Sequence, residues 1–573
     1  LSMYTSRRSA LTCLNGCVSS SQTLASQIGV DILKKGGNAA DAAVSVAAAL
    51  NLMEPHSTGI GGDMFCLYYN KSTNKVYAIN GSGRAPANLT LEHLNKLGYN
   101  EHNKFEARSP LSITVPGACA GWVDCVEKFG SGNLSMQEIL DPVISVAKGG
   151  FPVAGPITAH GWGENCGPLM DPRNEFGKEL LVQGYLVIPT DSTGQLRAPY
   201  MGEVFRNPGL ADVLESVAKH GKDGFYKGWV ADAIVAAIES MGGVLSHEDL
   251  AHHTSTFEEP ISIDYKGFRL WEIPPNGQGI VALEALNILK NFNVGKLGHN
   301  STDYLHVLIE AVRLSFADAL QYCADPSFSK VPFNNLLNGH YGKLRAKLID
   351  MGKSNETCLP GIVFSGDIES FKSDTVYFST ADKDGNFCSF INSTYMGFGS
   401  GVVPQNCGFT LQNRGFNFSL VPGHPNVVEP RKRSYHTIIP AMVTDAKTGE
   451  LLLSYGVMGG FMQPQGHVQV LLNMIEFGMD PQEALDAPRF LVGSGHRSAL
   501  GSISLESGIK ENTIAELKQR GHDVTGPVEG FKRSIFGRGQ VIARKNIWNR
   551  NSDNDQVLWA GSDPRADGTA VGY

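Results

Sequence analysis

The chain has 573 residues, 42% hydrophobic and 18% charged, with a net charge of −8. That is an ordinary globular balance. With no basic run longer than Arg431-Lys432-Arg433, it argues against nucleic acid or an anionic membrane surface as the main partner. No apolar stretch reaches the roughly 18 residues of a membrane span, and neither fixed-period repeats nor a Pro/Ser-rich linker divides the chain.

In chain order, residues 1–8 lack the apolar core of a secretory signal, and a cytoplasmic location is the expectation. Residues 21–35 read as a helix, with Ala25, Ile28, Ile32 and Leu33 at helical spacing and Gly36-Gly37 as its stop. Asn38 is placed to cap a second, alanine-rich helix over Ala39–Met53. The glycine-rich run Ser57–Asp63 leads into a hairpin from Met64–Tyr69 to Val76–Ile79. Residues from about 130 to 320 read as helix-rich, with a helix over Thr302–Leu320. After residue 374 the pattern changes to paired strands. One hairpin spans 375–391 around Asp384-Gly385, a strong turn signal. Another joins Thr437–Val443 to Leu451–Tyr455, and helices follow over 463–477 and 481–487. Strands this apolar need cover on both faces. Ten cysteines without metal-ligand spacing read as free buried thiols, and neither a metal nor a cofactor is expected.

The most telling stretch is Asp374-Thr375-Val376-Tyr377-Phe378-Ser379-Thr380, preceded by the polar loop Gly366–Ser373. A Thr at the first position of a core strand, after a loop open to cleavage, suggests a nucleophile released by self-cleavage. Its hydroxyl is weak without a base, and a freed α-amino group of pKa about 7.7–8.0 supplies one from the same residue. Taken by itself, the same Thr is also simply a good strand residue.

Seven segments in this order decide the matter. They are Gly36–Ala43, Gly59–Asp63, Val115–Gly117, Pro274–Gly279, Asp374-Thr375, Asp382–Asn386 and Gly459-Gly460. Together they resemble the γ-glutamyltransferase (glutathione hydrolase) family of N-terminal-nucleophile hydrolases over nearly the whole chain. The resemblance implies an α+β fold, a four-layer αββα sandwich. It implies a precursor cleaved between Asp374 and Thr375 into a large subunit (1–374) and a small one (375–573), with both sheets drawing strands from both parts. Thr375 would attack an amide carbonyl of a small-molecule substrate, form an acyl-enzyme and pass the acyl group to water or an amine. Gly459 and Gly460 fall at the family's oxyanion-hole position, where bare backbone N–H groups suit developing charge. Ser393 falls where a hydroxyl stands beside the nucleophile.

The departures from the family pattern cluster where a γ-glutamyl group would be recognised. Asn417 replaces the Asp that pairs with the donor's α-ammonium, and a charge-assisted bond is about twice as strong as a neutral one. Arg414 replaces a Gln or Glu, repelling an ammonium and attracting a carboxylate. Arg84 stands two positions from the family's carboxylate-binding Arg and is a candidate clamp. His436-Thr437 replace a Ser-Ser pair, and Tyr395 an Asn. His436 reads as a hydrogen-bonded structural residue rather than a base, Tyr395 equally as packing or binding, and Arg431-Lys432-Arg433 as a solvated turn. The stretch Asn426–Arg433 is shorter than in members with a lid over the pocket. The resemblance suggests a glutathione hydrolase, whereas the pocket changes favour an amide with a carboxylate but no α-ammonium, such as a glutaryl or oxamate-type amide. A non-catalytic binding protein on the same scaffold is disfavoured by the intact Thr375, Ser393 and Gly459-Gly460.

Overall fold

The computed structural model describes residues 8–184, 195–361, 374–493, 501–548 and 556–573; the loop Gly366–Ser373 lies outside them. Two seven-stranded sheets form the centre. In spatial order the first comprises Leu11–Cys13, Leu558–Ser562, Arg538–Ala543, Leu451–Met458, Ala441–Asp445, Phe268–Glu272 and Ile261–Tyr265. The second comprises Ala570–Gly572, Cys17–Ser19, Asp374–Ala381, Phe387–Tyr395, Asp63–Asn70, Lys75–Gly81 and Thr256–Glu258. Both contain strands from either side of Thr375, as the resemblance implied.

Side chains alternate across each strand with a period of two. Tyr377, Ala381, Phe387, Ile391, Phe65, Leu67 and Tyr69 therefore face the other sheet, meeting Met442, Leu451, Met458 and Ile542. Their neighbours Val376, Phe378, Cys388 and Phe390 face outward, under the helices Thr23–Lys34, Ala39–Met53 and Ala118–Phe129. Behind the first sheet, Val443, Leu453, Val457 and Val541 pack on Gly279–Leu289, Thr302–Tyr322 and Met462–Phe477. The layers run helix, sheet, sheet, helix, which explains why the central strands are apolar on both faces.

The helix Ala39–Met53 is buried throughout and starts with the expected Asn38 cap, completed by Asp41 as a capping box. Two readings need correction. The strand expected over Thr437–Val443 begins only at Ala441. Pro440 has no N–H to give a ladder, and the Ile439 N–H donates to the Gln463 side chain at 2.9 Å. The helix-rich section also contains the hairpin Ile261–Tyr265/Phe268–Glu272. Its turn is Lys266-Gly267, both at positive φ (50° and 89°), so the backbone of a two-residue hairpin loop is present without the usual Asn-Gly or Asp-Gly.

Candidate active site

The strand Asp374–Ala381 lies over Leu451–Met458 of the other sheet with opposed direction. Tyr377 packs against Gly456, and the Ser379 hydroxyl donates to that of Ser454 at 2.6 Å. This register carries the Thr375 end of the one strand towards the Met458–Gly460 end of the other. Gly459 and Gly460 follow Met458 at φ of 131° and 58°, a backbone that disfavours any side chain. The Gly460 carbonyl accepts from the Gln278 side chain at 2.8 Å.

Thr375 is fully buried. Its Oγ1 lies 2.7 Å from the Asp374 carbonyl oxygen and 3.0 Å from Ser393 Oγ. Ser393 Oγ also reaches the Asp374 carbonyl at 2.9 Å and accepts from the Tyr395 N–H at 2.8 Å. By strand parity Ser393 shares the between-sheet face with Ile391 and Phe387, and it pairs with Asp63 of the adjacent strand. Two hydroxyls and the carbonyl before Thr375 thus meet where the apolar layer between the sheets ends.

Arg414 closes the cluster. It opens the short 3₁₀ turn Arg414–Asn417 and is 1% exposed. Its guanidinium donates to Thr437 Oγ1 at 2.7 Å and to Ser393 Oγ at 3.3 Å. It stands 4.4 Å over the Tyr395 ring, an attraction worth about 2 kcal/mol when desolvated, so packing and cation support coincide at Tyr395. Burial pulls the Arg414 pKa down to about 10, opposed by Asp63, whose carboxylate lies 3.9 Å from Nε. Asp63 is the residue the sequence reading missed. It accepts from the Gly83 N–H at 2.7 Å and lies 3.1 Å from His436 Nε2. Its signal was visible as the acid ending the run Gly59–Asp63 at the head of a core strand.

His436 is buried, and burial, reinforced by Arg414, lowers its pKa to about 3 against the pull of Asp63. Nδ1 accepts from the Ile438 N–H at 3.3 Å, so Nε2 carries the proton and donates to Asp63. With both nitrogens engaged, the ring holds the Asp63 carboxylate in place. The folded pKa of His436 is depressed below the unfolded 6.5, so as pH falls from about 6.5 towards 3 the unfolded chain takes up a proton the folded chain refuses. Stability falls by about 1.4 kcal/mol per pH unit. Urea unfolding should therefore show wild type losing about 2 kcal/mol more than His436→Gln between about pH 6.5 and pH 5.

Two expected binding residues stand apart from this cluster. The Asn417 amide donates to the Tyr435 carbonyl at 3.0 Å, next to His436. Arg84 donates to the Thr254 carbonyl at 2.9 Å and lies among Arg433, Glu258 and Asp325. The basic run is not a solvated turn. Arg431 alone is exposed, pairing with Glu248. Lys432 is buried against Glu429 and over Phe328, and Arg433 donates to the Ser82 carbonyl and the Thr256 hydroxyl at 3.1 and 2.9 Å. The cause is that the short stretch from Asn426 lies directly on the body, with the Arg431 N–H on the Ala85 carbonyl and the Ala85 N–H on that of Lys432. Among the described residues, the thiols able to share an ion are Cys66, Cys125 and Cys388, all buried. They belong to the opposite, helix-covered face.

Known proteins of one family share this chain's length and fold. The gamma-glutamyltranspeptidase family model matches residues 25–573. The glutathione hydrolase-like YwrD proenzyme of Bacillus subtilis is 36% identical over 96% of this chain and 97% of its own length. The oxamate amidohydrolase proenzyme of Klebsiella pneumoniae is 31% identical over 96% and 97%. The crystal structure of cephalosporin acylase from Bacillus halodurans superposes with a TM-score of 0.85 at 41% identity, covering 100% of this chain and 98% of that one. The names of these relatives differ in substrate, and two of them are proenzymes. The chain belongs to the gamma-glutamyltranspeptidase family of hydrolases and transferases that act on amides.

Proposed function

We propose that the protein is a self-processing amidohydrolase whose nucleophile is Thr375 and whose acyl donor carries a carboxylate without a neighbouring ammonium. Cleavage between Asp374 and Thr375 frees the α-amino group, which takes the proton from Oγ1 as that oxygen attacks the substrate carbonyl. Ser393 orients Oγ1, and the N–H groups of Gly459 and Gly460 stabilise the developing oxyanion. The acyl-enzyme then passes to water or an amine. Gly459→Ala tests the oxyanion role. A Cβ there would stand 3.2 Å from Gly537 Cα and 3.3 Å from Met462 Cβ, on a backbone of positive φ. Turning the N–H away should lower kcat about 10²- to 10³-fold while the protein still folds, as kinetics and thermal melting on one preparation would record.

The observation that carries the substrate assignment is the buried Arg414 guanidinium within hydrogen-bonding reach of Ser393. A substrate carboxylate meets a fixed cation there. An α-ammonium there finds Asp63 alone as an anion, with both of its oxygens already engaged. The second reading, a γ-glutamyl donor, rests on the whole-chain similarity to a glutathione hydrolase-like protein. A paired assay separates them. Glutaryl anilide should be cleaved at least as fast as γ-glutamyl anilide, and a strong preference for the γ-glutamyl compound would reject the carboxylate-only pocket.

A further inference from the structure

We propose that Arg538 is a positioning residue for self-cleavage, gripping the side-chain carboxylate of Asp374 and so presenting the carbonyl of the scissile bond to Thr375. The inference rests on the self-cleavage reading above. Arg538 opens the strand Arg538–Ala543 and pairs with Met458, immediately before Gly459. Its guanidinium is oriented from behind, by Glu54 Oε2 at 3.2 Å and Ser57 Oγ at 3.4 Å. Glu54 is itself buried and held by Ser21 and Gln22. From this fixed position Arg538 Nη2 lies 3.8 Å from Asp374 Oδ1. Asp374 is only 18% exposed on its side chain. It also faces Arg108, whose Nη1 is fixed on the carbonyls of Gly397 and Gly399 at 2.9 Å each.

Asp374 is consequently held at both ends. The Arg538 guanidinium stands within ion-pair distance of its carboxylate at 3.8 Å, while Ser393 and Thr375 hydroxyls meet its carbonyl oxygen at 2.9 and 2.7 Å. The chemistry needs that constraint. Oγ1 bonds to the Asp374 carbonyl carbon, the C–N bond breaks, and the hydroxyl proton goes to the departing nitrogen, giving an ester by isomerisation alone. Water then hydrolyses the ester, leaving an Asp374 α-carboxylate, the Thr375 hydroxyl and its free amine. An intramolecular attack of this kind depends on the carbonyl being held in line, and a displacement of about 1 Å costs about 100-fold.

The test follows the fragment beginning at Thr375 by intact mass, from precursor made by cell-free synthesis. Arg538→Gln and Asp374→Asn should each slow its appearance about 10- to 100-fold. The double variant should be no slower than the slower single one, because both remove one interaction, and Arg538→Lys should recover part of the rate. A structural role acting through Glu54 would instead multiply the two effects and lower the melting temperature of Arg538→Gln in either background. Wild-type cleavage rates in Asp374→Asn or Arg538→Gln, or multiplicative effects in the double variant, would overturn the inference. Should Arg538→Gln not fold, Asp374→Asn still decides it. A wild-type chain that is never cut at Asp374-Thr375 would overturn the self-cleavage reading and this inference with it, whereas a cut wild type with unaffected variants overturns this inference alone.

Discussion

Thr375→Ala should remain a single 61.7 kDa chain and hydrolyse no amide above background. Two losses coincide at this residue. In the proposed mechanism the hydroxyl that lies 2.7 Å from the Asp374 carbonyl is the attacking group of self-cleavage and later the attacking group on substrate. Removing a nucleophile of this kind lowers turnover by about 10⁶-fold. Thr375→Ser retains the oxygen and its contact with Ser393, so it should still be cut and still turn over, more slowly. Denaturing electrophoresis and an anilide assay on the same three preparations check both halves. The small side-chain change in a buried position should cost little stability, so loss of function here reports chemistry rather than unfolding.

Arg414→Met should carry the next largest effect. It removes the cation in reach of Ser393 and Thr437 while keeping an unbranched chain over the Tyr395 ring. Hydrogen bonds to charged groups are worth about 1.5–3 kcal/mol, so kcat/KM for glutaryl anilide should fall about 10- to 100-fold. Butyryl anilide, which has no carboxylate, should be affected much less. Equal losses on the two would mean that Arg414 merely supports Ser393. The variant leaves Asp63 without its cation, but His436 and the Gly83 N–H still bind it, so the fold has partners to retain.

Much of the fold was readable from periodicity and caps. Asn38 before an alanine-rich run, and strands apolar on both faces, follow directly from how helices are capped and how sandwiched sheets are covered. Pro440 displaced a strand start because a side chain, Gln463, competed for the Ile439 N–H, a contact between segments that no local pattern contains. The hairpin at Lys266-Gly267 was missed because its turn lacks the usual residues.

The site divides in the same way. Thr375, Ser393 and Tyr395 lie on one hairpin and Arg414 on the turn that follows, so local sequence already placed them near one another. Asp63 and Arg538 come from distant segments, and only the pairing of Asp63 with Ser393, and of Arg538 with Met458, brings them in. Arg84 and Arg433 show the converse: a candidate clamp and a residue expected in a solvated turn, both of whose side chains donate to carbonyls of neighbouring loops.

The central claim is that Thr375 becomes a new N-terminus and carries the acyl group. The most direct test is intact and peptide mass spectrometry of purified protein, before and during turnover of glutaryl anilide. The account predicts two polypeptides, one beginning at Thr375, and a transient glutaryl adduct on the peptide that begins with Thr375. An intact chain with full activity, or an adduct on any other residue, would contradict it.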